Sequence, residues 1–348
     1  MKDTAPIRPE ERFDEARVAA YLSANLPELI GDHTVEFDQF PGGAANLTYR
    51  ATAGSTELVL RRAPLGSVAE GGHDMAREYR VLSRLWRAYS KAPRAYHFCD
   101  DESVMGKAFF VMERRRGWVI RNAWPPRFSD RAGIRRHLAT RLVSALGELH
   151  RVDAAEVGLD DLGHPAGFVE RQVDGWHRRW EAAKTRHVPA MSAAADILRR
   201  RRPEPQAATL LHNDFKLDNT MVGDDGEIVA VFDWDMSTRG DPLVDLGTLL
   251  AYWVDADGPT YPIFGDRAVT MAEHLSKREI VDLYAAATGF DLEHIQYYEG
   301  LALYRIAVII EQIYARYAAG QTRDSRFARF EPLAPILASA ALEVLEGA

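Results

Sequence analysis

Three side chains close together in the sequence have the types and spacing that phosphoryl transfer requires. The segment LLHNDFKLDNTMV contains the pattern H-x-D-x-x-x-x-N, formed by His212, Asp214 and Asn219. A tight turn and a β-branched run follow, and this run, VAVFDWD, leads to Asp233. Transfer of a γ-phosphate needs a carboxylate that positions the acceptor hydroxyl and a metal that neutralises the phosphate oxygens. Mg²⁺ prefers oxygen ligands, which Asn and Asp side chains supply.

The order of these residues predicts that they lie near one another. A hairpin with Asn219 before its first strand and Asp233 after its second strand brings both to the same end of the strand pair. Asp214, five residues before Asn219, would then lie within reach of an acceptor hydroxyl. Each residue alone could simply stabilise a turn or a cap. The complete set at this spacing favours a site for magnesium-dependent phosphoryl transfer.

Composition limits the classes of protein to which the chain could belong. Its 348 residues, 47% of them hydrophobic, exceed the size at which one core usually stops growing, so two lobes are expected. The formal net charge of −8 argues against nucleic-acid binding, which relies on clustered Lys and Arg. Cys99 is the single cysteine, which suits a reducing compartment. No signal-peptide core and no run of about 18 apolar residues is present, so we expect a cytoplasmic enzyme without a membrane partner.

The first third of the chain predicts a β-rich lobe. We expect a loose arm over the first twelve residues, a helix over 13–26, and a second helix that Asp74 caps. Short β-like runs at 34–40, 47–52, 56–62, 95–98 and 108–113 predict five strands around that second helix. The predicted domains are therefore an N-terminal arm and helix at 1–33, a nucleotide-binding lobe at 34–115, and a catalytic and substrate-binding lobe at 116–348.

The remainder predicts a mainly helical lobe, so the fold class is α+β. Ser129 is expected to cap a helix with an apolar stripe that ends at Leu149. Further helices are predicted at 167–185, 190–201, 243–254, 277–288, 292–319 and 333–345. One hairpin, with strands at 220–222 and 227–232, interrupts them and carries the residues that could perform chemistry.

The stretches HNDFKLDN and VFDWDMSTRGDPLVDL resemble the catalytic core of the aminoglycoside-phosphotransferase-like family, a branch of the protein-kinase-like fold. The chain most resembles the kinase-like domain that is fused to some acyl-CoA dehydrogenases. Supporting stretches are GGAANLTYR, LVLRRAP, HDMAREYRVLSRL, LGELHRVD and GFVERQVDGWHRRW. The resemblance covers roughly residues 37–253. It implies a bilobal fold, with a small antiparallel sheet and one helix in the N-lobe and a larger helical C-lobe.

The resemblance also implies roles for the residues around the motif. Asp214 is similar to the carboxylate that orients and deprotonates the acceptor hydroxyl, and His212 to a residue that stabilises the loop. Asn219 and Asp233 resemble the metal ligands. The segment GDPLVDL implies that Asp245 braces the loop. Asp241 would then hold the local turn, and Asp235 would either contact a second metal or be structural. Asn213 stands where the family most often has Gly, and Asn tolerates positive φ better than most residues.

The N-terminal part is expected to hold the nucleotide, ATP or GTP. In LVLRRAP, Arg61 stands where the family usually has a phosphate-contacting Lys, and Glu78 resembles its ion-pair partner. Arg can bind phosphate and carboxylate at once, so the role can survive this difference. Two further segments complete the expected nucleotide site: Gly42, Gly43, Ala45 and Asn46 in a phosphate-covering loop, and the main chains of Glu113 and Arg115 in a hinge.

The resemblance leaves three functions open. The first is a metabolic kinase that phosphorylates a hydroxylated small molecule such as a hydroxyacyl-CoA. Its acceptor groove could contain the basic residues His177, Arg178, Arg179, Lys184 and Arg186. The second is an antibiotic kinase that phosphorylates an aminoglycoside or a macrolide. For a cationic aminoglycoside, Asp255 and Asp257 could contribute an acidic pocket, or they could be solvated loop residues. The third is a nucleotide-binding pseudokinase, which the presence of Asp214, Asn219 and Asp233 disfavours. We prefer the first because of the resemblance.

Overall fold

A computed structural model describes residues 3–41, 46–64, 74–121, 123–129, 131–255, 275–322 and 324–347. The chain folds into two compact units. The first unit comprises Met1–Gly117, Val157–Leu159 and Val229–Ser237, and the remaining residues form the second. The predicted domain boundaries remain a prediction. No helix in the described part of the chain is long and apolar enough to cross a membrane.

The strands of the described residues are short and lie mostly in the first third of the chain. They are β1 (Val35–Gln39), β2 (Leu47–Ala53), β3 (Thr56–Arg62), β4 (Ala95–Cys99), β5 (Phe109–Glu113), β6 (Thr209–Leu211), β7 (Thr220–Val222), β8 (Ile228–Val231) and β9 (Thr238–Gly240).

Among the described residues, four helices lie in the first unit and eight in the second. They are α1 (Glu15–Asn25), α2 (Pro27–Ile30), α3 (Met75–Leu85), α4 (Glu102–Met105), α5 (Pro126–Ser129), α6 (Ile134–His150), α7 (Phe168–Ala183), α8 (Pro189–Arg200), α9 (Leu243–Ala251), α10 (Lys277–Thr288), α11 (Ile295–Ala318) and α12 (Leu333–Glu346).

The first unit contains the predicted five-stranded antiparallel sheet, in the order β1-β2-β3-β5-β4. Strand β2 alternates buried and half-buried residues, so Tyr49 and Ala51 face the core while Arg50 does not. Helix α3 begins at the predicted cap, because the Asp74 carboxylate accepts a hydrogen bond from the Arg77 N–H. Its Val81 belongs to the core of this unit. The α+β fold class is thus confirmed.

The expectation of a loose N-terminal arm is wrong for the described residues. Ala5 pairs with Gln39 and so extends the sheet beyond β1. The N-terminal segment is held in place by the side chain of Arg62, which is only 1% exposed. Its guanidinium donates to the Glu11 carbonyl at 2.5 Å and to the Tyr49 hydroxyl at 2.8 Å, and it also donates to a second main-chain carbonyl. A buried guanidinium needs such acceptors, and the N-terminal segment supplies one of them.

The second unit is mainly helical, as predicted, with two differences. Ser129 does not cap the long helix, because it is the last residue of the short helix α5. Gly133, with φ +72°, lies between the two helices and is the N-cap of α6. Strands β6 and β9, which were not predicted, pair with each other, and β6 ends directly before the loop that contains the motif. The predicted hairpin forms as β7 and β8, with a hydrogen bond from the Gly223 N–H to the Glu227 carbonyl.

Helices α9 and α11 approach each other closely at Gly247. A Cβ atom added to this glycine would lie 2.5 Å from the main-chain carbon and oxygen of Tyr298. Real Cβ atoms essentially never come so close, and main-chain atoms cannot rotate away. The absence of a side chain at position 247 therefore permits this helix contact.

We expect Gly247→Ala to destabilise the protein by about 1–3 kcal/mol, because the new methyl group overlaps the backbone of α11. Gly175→Ala is the matched control. Gly175 is also inside a helix, but its added Cβ would meet nothing closer than the Arg178 guanidinium at 3.9 Å. That control should be neutral or stabilising by up to about 1 kcal/mol. Urea unfolding of both variants measures the difference, and equal stabilities would contradict the proposed close contact.

Candidate active site

The loop between β6 and β7 is held by one buried carboxylate. Asp245, on the first turn of α9, is fully buried and accepts two main-chain hydrogen bonds from this loop. Its Oδ2 lies 2.7 Å from the His212 nitrogen, and its Oδ1 lies 2.6 Å from the Asn213 nitrogen. These are the contacts that a brace of the loop would make. The bracing role of Asp245 itself remains a prediction.

His150, the last residue of α6, contacts the same carboxylate. Its Nε2 lies 3.2 Å from Asp245 Oδ2, and its Nδ1 lies 2.5 Å from the Tyr284 hydroxyl. Burial raises the pKa of Tyr284 far above its usual value, so this hydroxyl keeps its proton and can donate it to Nδ1. With Nδ1 as the acceptor of this bond, Nε2 is the ring nitrogen that can donate to Asp245. His150 was not among the predicted site residues, although it lies in the stretch LGELHRVD.

Asn213 adopts the left-handed conformation that its position suggested, with φ +67°. The chain therefore turns sharply just before Asp214. The Asp214 N–H points back to His212 and donates to its Nδ1 at 3.2 Å. His212 is fully buried, so this acceptor is shielded from water. The contact is consistent with a loop-stabilising histidine, and that assignment is still a prediction.

The Asp214 carboxylate has two polar neighbours from its own loop. Lys216 Nζ lies 2.9 and 2.7 Å from its two oxygens. The Asn219 amide nitrogen lies 2.9 Å from one carboxylate oxygen and 2.9 Å from the Asp214 main-chain carbonyl. Burial alone would raise the pKa of Asp214, but the charges of Lys216 and Arg305 outweigh it and lower the pKa. Asp214 is therefore ionised at neutral pH, as a proton acceptor must be.

Lys216 is a candidate functional residue that the sequence analysis missed. Its ammonium group contacts both oxygens of Asp214 and lies 4.9 Å from the centre of the Tyr252 ring. A cation at this place could interact with a transferred phosphoryl group as well as with the carboxylate. Lys216 could have been predicted as a site residue from its position between Asp214 and Asn219 within HNDFKLDN.

Asp241 lies at the start of α9 and links that helix to α11. Its carboxylate accepts from the Leu243 N–H at 3.0 Å and from the Tyr298 hydroxyl at 2.6 Å. Burial raises the pKa of Asp241. The first of these bonds closes the local turn, as the predicted role of Asp241 requires.

Three charged side chains lie together in the first unit. Arg61, on β3, contacts Glu78 of α3 through its Nε at 2.9 Å, and a second guanidinium nitrogen contacts Asp233. Glu78 is only 1% exposed, so burial raises its pKa, and the positive charge of Arg61 opposes this shift. Burial lowers the pKa of Arg61, but Glu78 and Asp233 outweigh it and raise the pKa. The predicted Arg61–Glu78 ion pair is thus present in the structure.

Asp233 occupies a strained backbone position. It has φ +71° and ψ +59°, which few non-glycine residues adopt, and a short 3₁₀ turn that contains Asp235 follows it. Its carboxylate is 30% exposed. Asp233 belongs to the first unit, whereas Asp214 and Asn219 belong to the second. That the three meet at one nucleotide therefore stays a prediction.

The other predicted nucleotide contacts remain predictions. Gly42, Gly43 and Ala45 lie outside the described residues. Asn46 is described and is only 3% exposed. The side chains of Glu113 and Arg115 form an ion pair with each other. This pairing leaves the predicted role with their main chains, and no observation tests it.

The two predicted metal ligands have suitable donor atoms for Mg²⁺. The Asn219 amide nitrogen faces Asp214, so its amide oxygen is the atom that could bind a cation. Asp233 offers a partly exposed carboxylate. Within the described residues, no three or more His, Cys, Asp or Glu side chains form a ready metal cluster. The donor set fits Mg²⁺, which is commonly held by one or two protein ligands together with substrate phosphates.

Comparison with known sequences decides the family. Residues 36–274, more than half of the chain, match the sequence profile of the phosphotransferase enzyme family. The chain belongs to this family. The predicted resemblance to aminoglycoside phosphotransferases is thereby confirmed, and the protein is a kinase-like phosphotransferase.

The curated relatives of this phosphotransferase are longer proteins. Acyl-CoA dehydrogenase family member 11 of Rattus norvegicus is 31% identical over 332 residues, which cover 92% of this chain and 42% of that protein. The chain spans less than half the length of each curated relative that it matches. The predicted similarity to the kinase-like domain of acyl-CoA dehydrogenases is confirmed.

Solved structures show that this phosphotransferase has the kinase-like fold of the family. A Ralstonia eutropha JMP134 protein, assigned as an aminoglycoside phosphotransferase, aligns with a TM-score of 0.80 and 26% identity, covering 97% of this chain and 99% of that chain. A thermostable mutant of an aminoglycoside phosphotransferase, solved with AMP-PNP and hygromycin B, aligns with a TM-score of 0.61 and 15% identity, covering 94% and 98% of the two chains. The second likeness shows the fold alone.

We expect Arg61→Gln to destabilise the first unit by about 3–5 kcal/mol, because it leaves the buried Glu78 carboxylate without its cation. The double variant Arg61→Gln with Glu78→Gln should recover most of that loss, since no buried charge is then left unpaired. Urea unfolding of the wild type, Arg61→Gln, Glu78→Gln and the double variant completes a double-mutant cycle, which measures the interaction energy between the two side chains. Strictly additive effects would show that the two side chains do not interact.

Proposed function

We propose that this phosphotransferase is a magnesium-dependent small-molecule kinase that transfers the γ-phosphate of ATP or GTP to a hydroxyl group. The observation that carries this proposal is the environment of Asp214. Its carboxylate is ionised, partly accessible, and held by Lys216 and Asn219 on a loop that Asp245 fixes from behind. The solved relative that binds AMP-PNP together with hygromycin B supports a nucleotide donor and a small-molecule acceptor.

In the proposed reaction, Asp214 accepts a hydrogen bond from the acceptor hydroxyl. The hydroxyl oxygen forms a bond to the γ-phosphorus while the bond between this phosphorus and the β,γ-bridging oxygen breaks. The hydroxyl proton moves to Asp214, and the nucleoside diphosphate leaves. Lys216 lies beside the carboxylate and would stabilise negative charge on the transferred group. Mg²⁺, when bound, would neutralise the phosphate oxygens, with Asn219 and Asp233 as its protein ligands.

The proposed nucleotide grip rests on Arg61. Because Glu78 fixes the guanidinium through its Nε, the remaining nitrogens can present a fork to phosphate oxygens. In the structure one of them contacts Asp233 instead. Asn46 and the main chains of Glu113 and Arg115 remain proposed contacts to the nucleotide.

For the acceptor, we propose an anionic hydroxylated metabolite of the hydroxyacyl-CoA class. The similarity to acyl-CoA dehydrogenase family members supports this class. The basic residues predicted to line the acceptor groove support an anionic acceptor in part. Lys184 pairs with Glu181, and the Glu311 and Glu331 carboxylates lie near Arg186. Arg178 and Arg179, in contrast, have no carboxylate within salt-bridge distance among the described residues.

The electrostatic environment of Arg179 agrees with an anionic acceptor. Its guanidinium lies 4.4 Å from the centre of the Trp176 ring, and the Arg305 guanidinium lies 5.3 Å from the centre of the same ring. Burial lowers the pKa of Arg179, and the like charges of Arg305 and Arg178 lower it further. An anion would relieve this repulsion, whereas a cationic aminoglycoside would increase it. Asp255, expected to attract such a cation, instead accepts the Lys277 N–H, and Asp257 lies outside the described residues.

We expect Asp214→Asn to lower kcat by about 10²–10⁴-fold, the usual contribution of a general base, while the nucleotide still binds. Steady-state kinetics and calorimetric titration with the magnesium nucleotide check the two parts. Near-normal turnover in this variant would remove Asp214 from its proposed role.

A panel of acceptors tests the proposed substrate class. We expect phosphate transfer from ATP to a hydroxyacyl-CoA, such as hydroxybutyryl-CoA, before transfer to kanamycin, a macrolide or an amino alcohol. Phosphorylated product is measured by mass spectrometry, with Asp214→Asn as the blank. Transfer to kanamycin without transfer to any acyl-CoA would reverse the proposed preference. Nucleotide binding without transfer to any acceptor would favour a pseudokinase.

A further inference from the structure

Helix α11 makes two polar contacts near the candidate active site from one face. Tyr298 and Arg305 are seven residues apart, which places them two turns apart on the same side of the helix. Tyr298 donates to Asp241 at the start of α9, and Arg305 reaches the loop at Asn213. The close approach at Gly247 fixes the distance between α9 and α11. The position of Arg305 is thus set by packing rather than by its own flexible side chain.

Arg305 binds Asn213 at two points. One guanidinium nitrogen donates to the side-chain oxygen of Asn213 at 2.9 Å, and the other donates to its main-chain carbonyl at 2.6 Å. Arg305 is only 6% exposed, and its guanidinium also lies against the Trp176 ring at 5.3 Å. Burial strengthens both hydrogen bonds and limits the rotamers open to the side chain.

These contacts hold both ends of the peptide unit that joins Asn213 to Asp214. Its carbonyl oxygen accepts from Arg305, and its N–H donates to His212 Nδ1. The preceding peptide unit donates its N–H, that of Asn213, to Asp245. The orientation of the Asp214 main chain, and with it the direction in which the side chain leaves the backbone, is therefore fixed from two sides.

We infer that Arg305 is a positioning residue, which orients the base Asp214 by holding the peptide unit between residues 213 and 214. The inference rests on the proposed function, because it takes Asp214 as the group that receives the proton. Asn213 takes part as the partner of Arg305. In the left-handed conformation a glycine could provide the same backbone, but only a side chain with an oxygen gives the guanidinium its second acceptor.

The test compares Arg305→Ala and Arg305→Lys with a control on the same helix. Tyr297→Phe removes a buried hydrogen bond of α11, from the Tyr297 hydroxyl to the Leu198 carbonyl, that lies away from the loop. The measured reactions are phosphate release from MgATP without an acceptor and transfer to hydroxybutyryl-CoA. Thermal unfolding of each variant is recorded in parallel.

We expect Arg305→Ala to lower kcat for MgATP hydrolysis about 10²-fold, as a displaced catalytic group does, with KM for MgATP nearly unchanged. Arg305→Lys should remain close to the alanine variant, because one ammonium group cannot replace the fork. Added methylguanidinium should restore part of the activity of Arg305→Ala and none of that of Asp214→Asn. Tyr297→Phe should retain the wild-type kcat even where its Tm falls.

Three results would overturn the inference. The first is a wild-type kcat in Arg305→Ala, and the second is full activity in Arg305→Lys. The third is a loss of kcat in Tyr297→Phe that is as large, for the same fall in Tm, as the loss in Arg305→Ala.

If Arg305→Ala does not fold, Asn213→Gly replaces it. This variant keeps the carbonyl contact, so its kcat should fall less than that of Arg305→Lys, and an equal or larger fall would count against the peptide contact. Hydrolysis without transfer to hydroxybutyryl-CoA contradicts only the proposed acceptor, whereas a wild-type protein that neither hydrolyses MgATP nor transfers phosphate to any acceptor contradicts the proposed function. If the wild type transfers phosphate but does not hydrolyse MgATP, the same comparison of variants is made on transfer.

Discussion

The buried carboxylate of Asp245 links the start of α9 to the loop that contains Asp214, and the other contacts of this loop are arranged around it. A fully buried carboxyl group is costly unless hydrogen-bond partners surround it, and here the partners are two consecutive main-chain amides and an imidazole. Because those amides belong to His212 and Asn213, the hydrogen bonds that satisfy the carboxyl group also constrain the loop. The cost of burial and the geometry of the candidate site are therefore linked.

The helices around this carboxylate contribute from several directions. Helix α6 brings His150, helix α10 brings Tyr284, and helix α11 brings Arg305 to the far side of the loop. Gly247 lets two of the surrounding helices come into backbone contact. Residues distant in sequence thus act on one short segment, and the rigidity of the site is a property of the whole helical unit.

Much of this fold could be predicted from the sequence. The five-stranded sheet has alternating side chains and clear turns, and the capped helix α3 has a regular apolar stripe. Strands β6 and β9 have three residues each, too few for a period to show. The cap at Ser129 was wrong because Gly133, farther along, separates two helices. Short elements fixed by tertiary contacts leave little local signal.

The residues of the candidate site also divide into those with a local sequence signal and those brought together only by folding. The motif predicted Asp214, Asn219 and Asp233 as site residues because their spacing is local and distinctive. Arg305 lies 92 residues from Asn213, and His150 lies 95 residues from Asp245, so only the folded chain relates them. The contact of Lys216 with Asp214 was within reach of sequence reasoning, because the two are separated by a single residue.

The packing of Arg62 has a consequence for the design of N-terminal truncations of this protein. Residues ahead of α1 carry no proposed functional group, and deletion analysis would treat them as dispensable. Yet the Glu11 carbonyl and the Phe13 ring enclose the guanidinium of Arg62, the residue next to Arg61 in the chain. A shortened chain that begins after residue 13 would open this enclosure to water beside the proposed nucleotide grip. Loss of activity on such a deletion would report a damaged strand and not a missing contact to substrate.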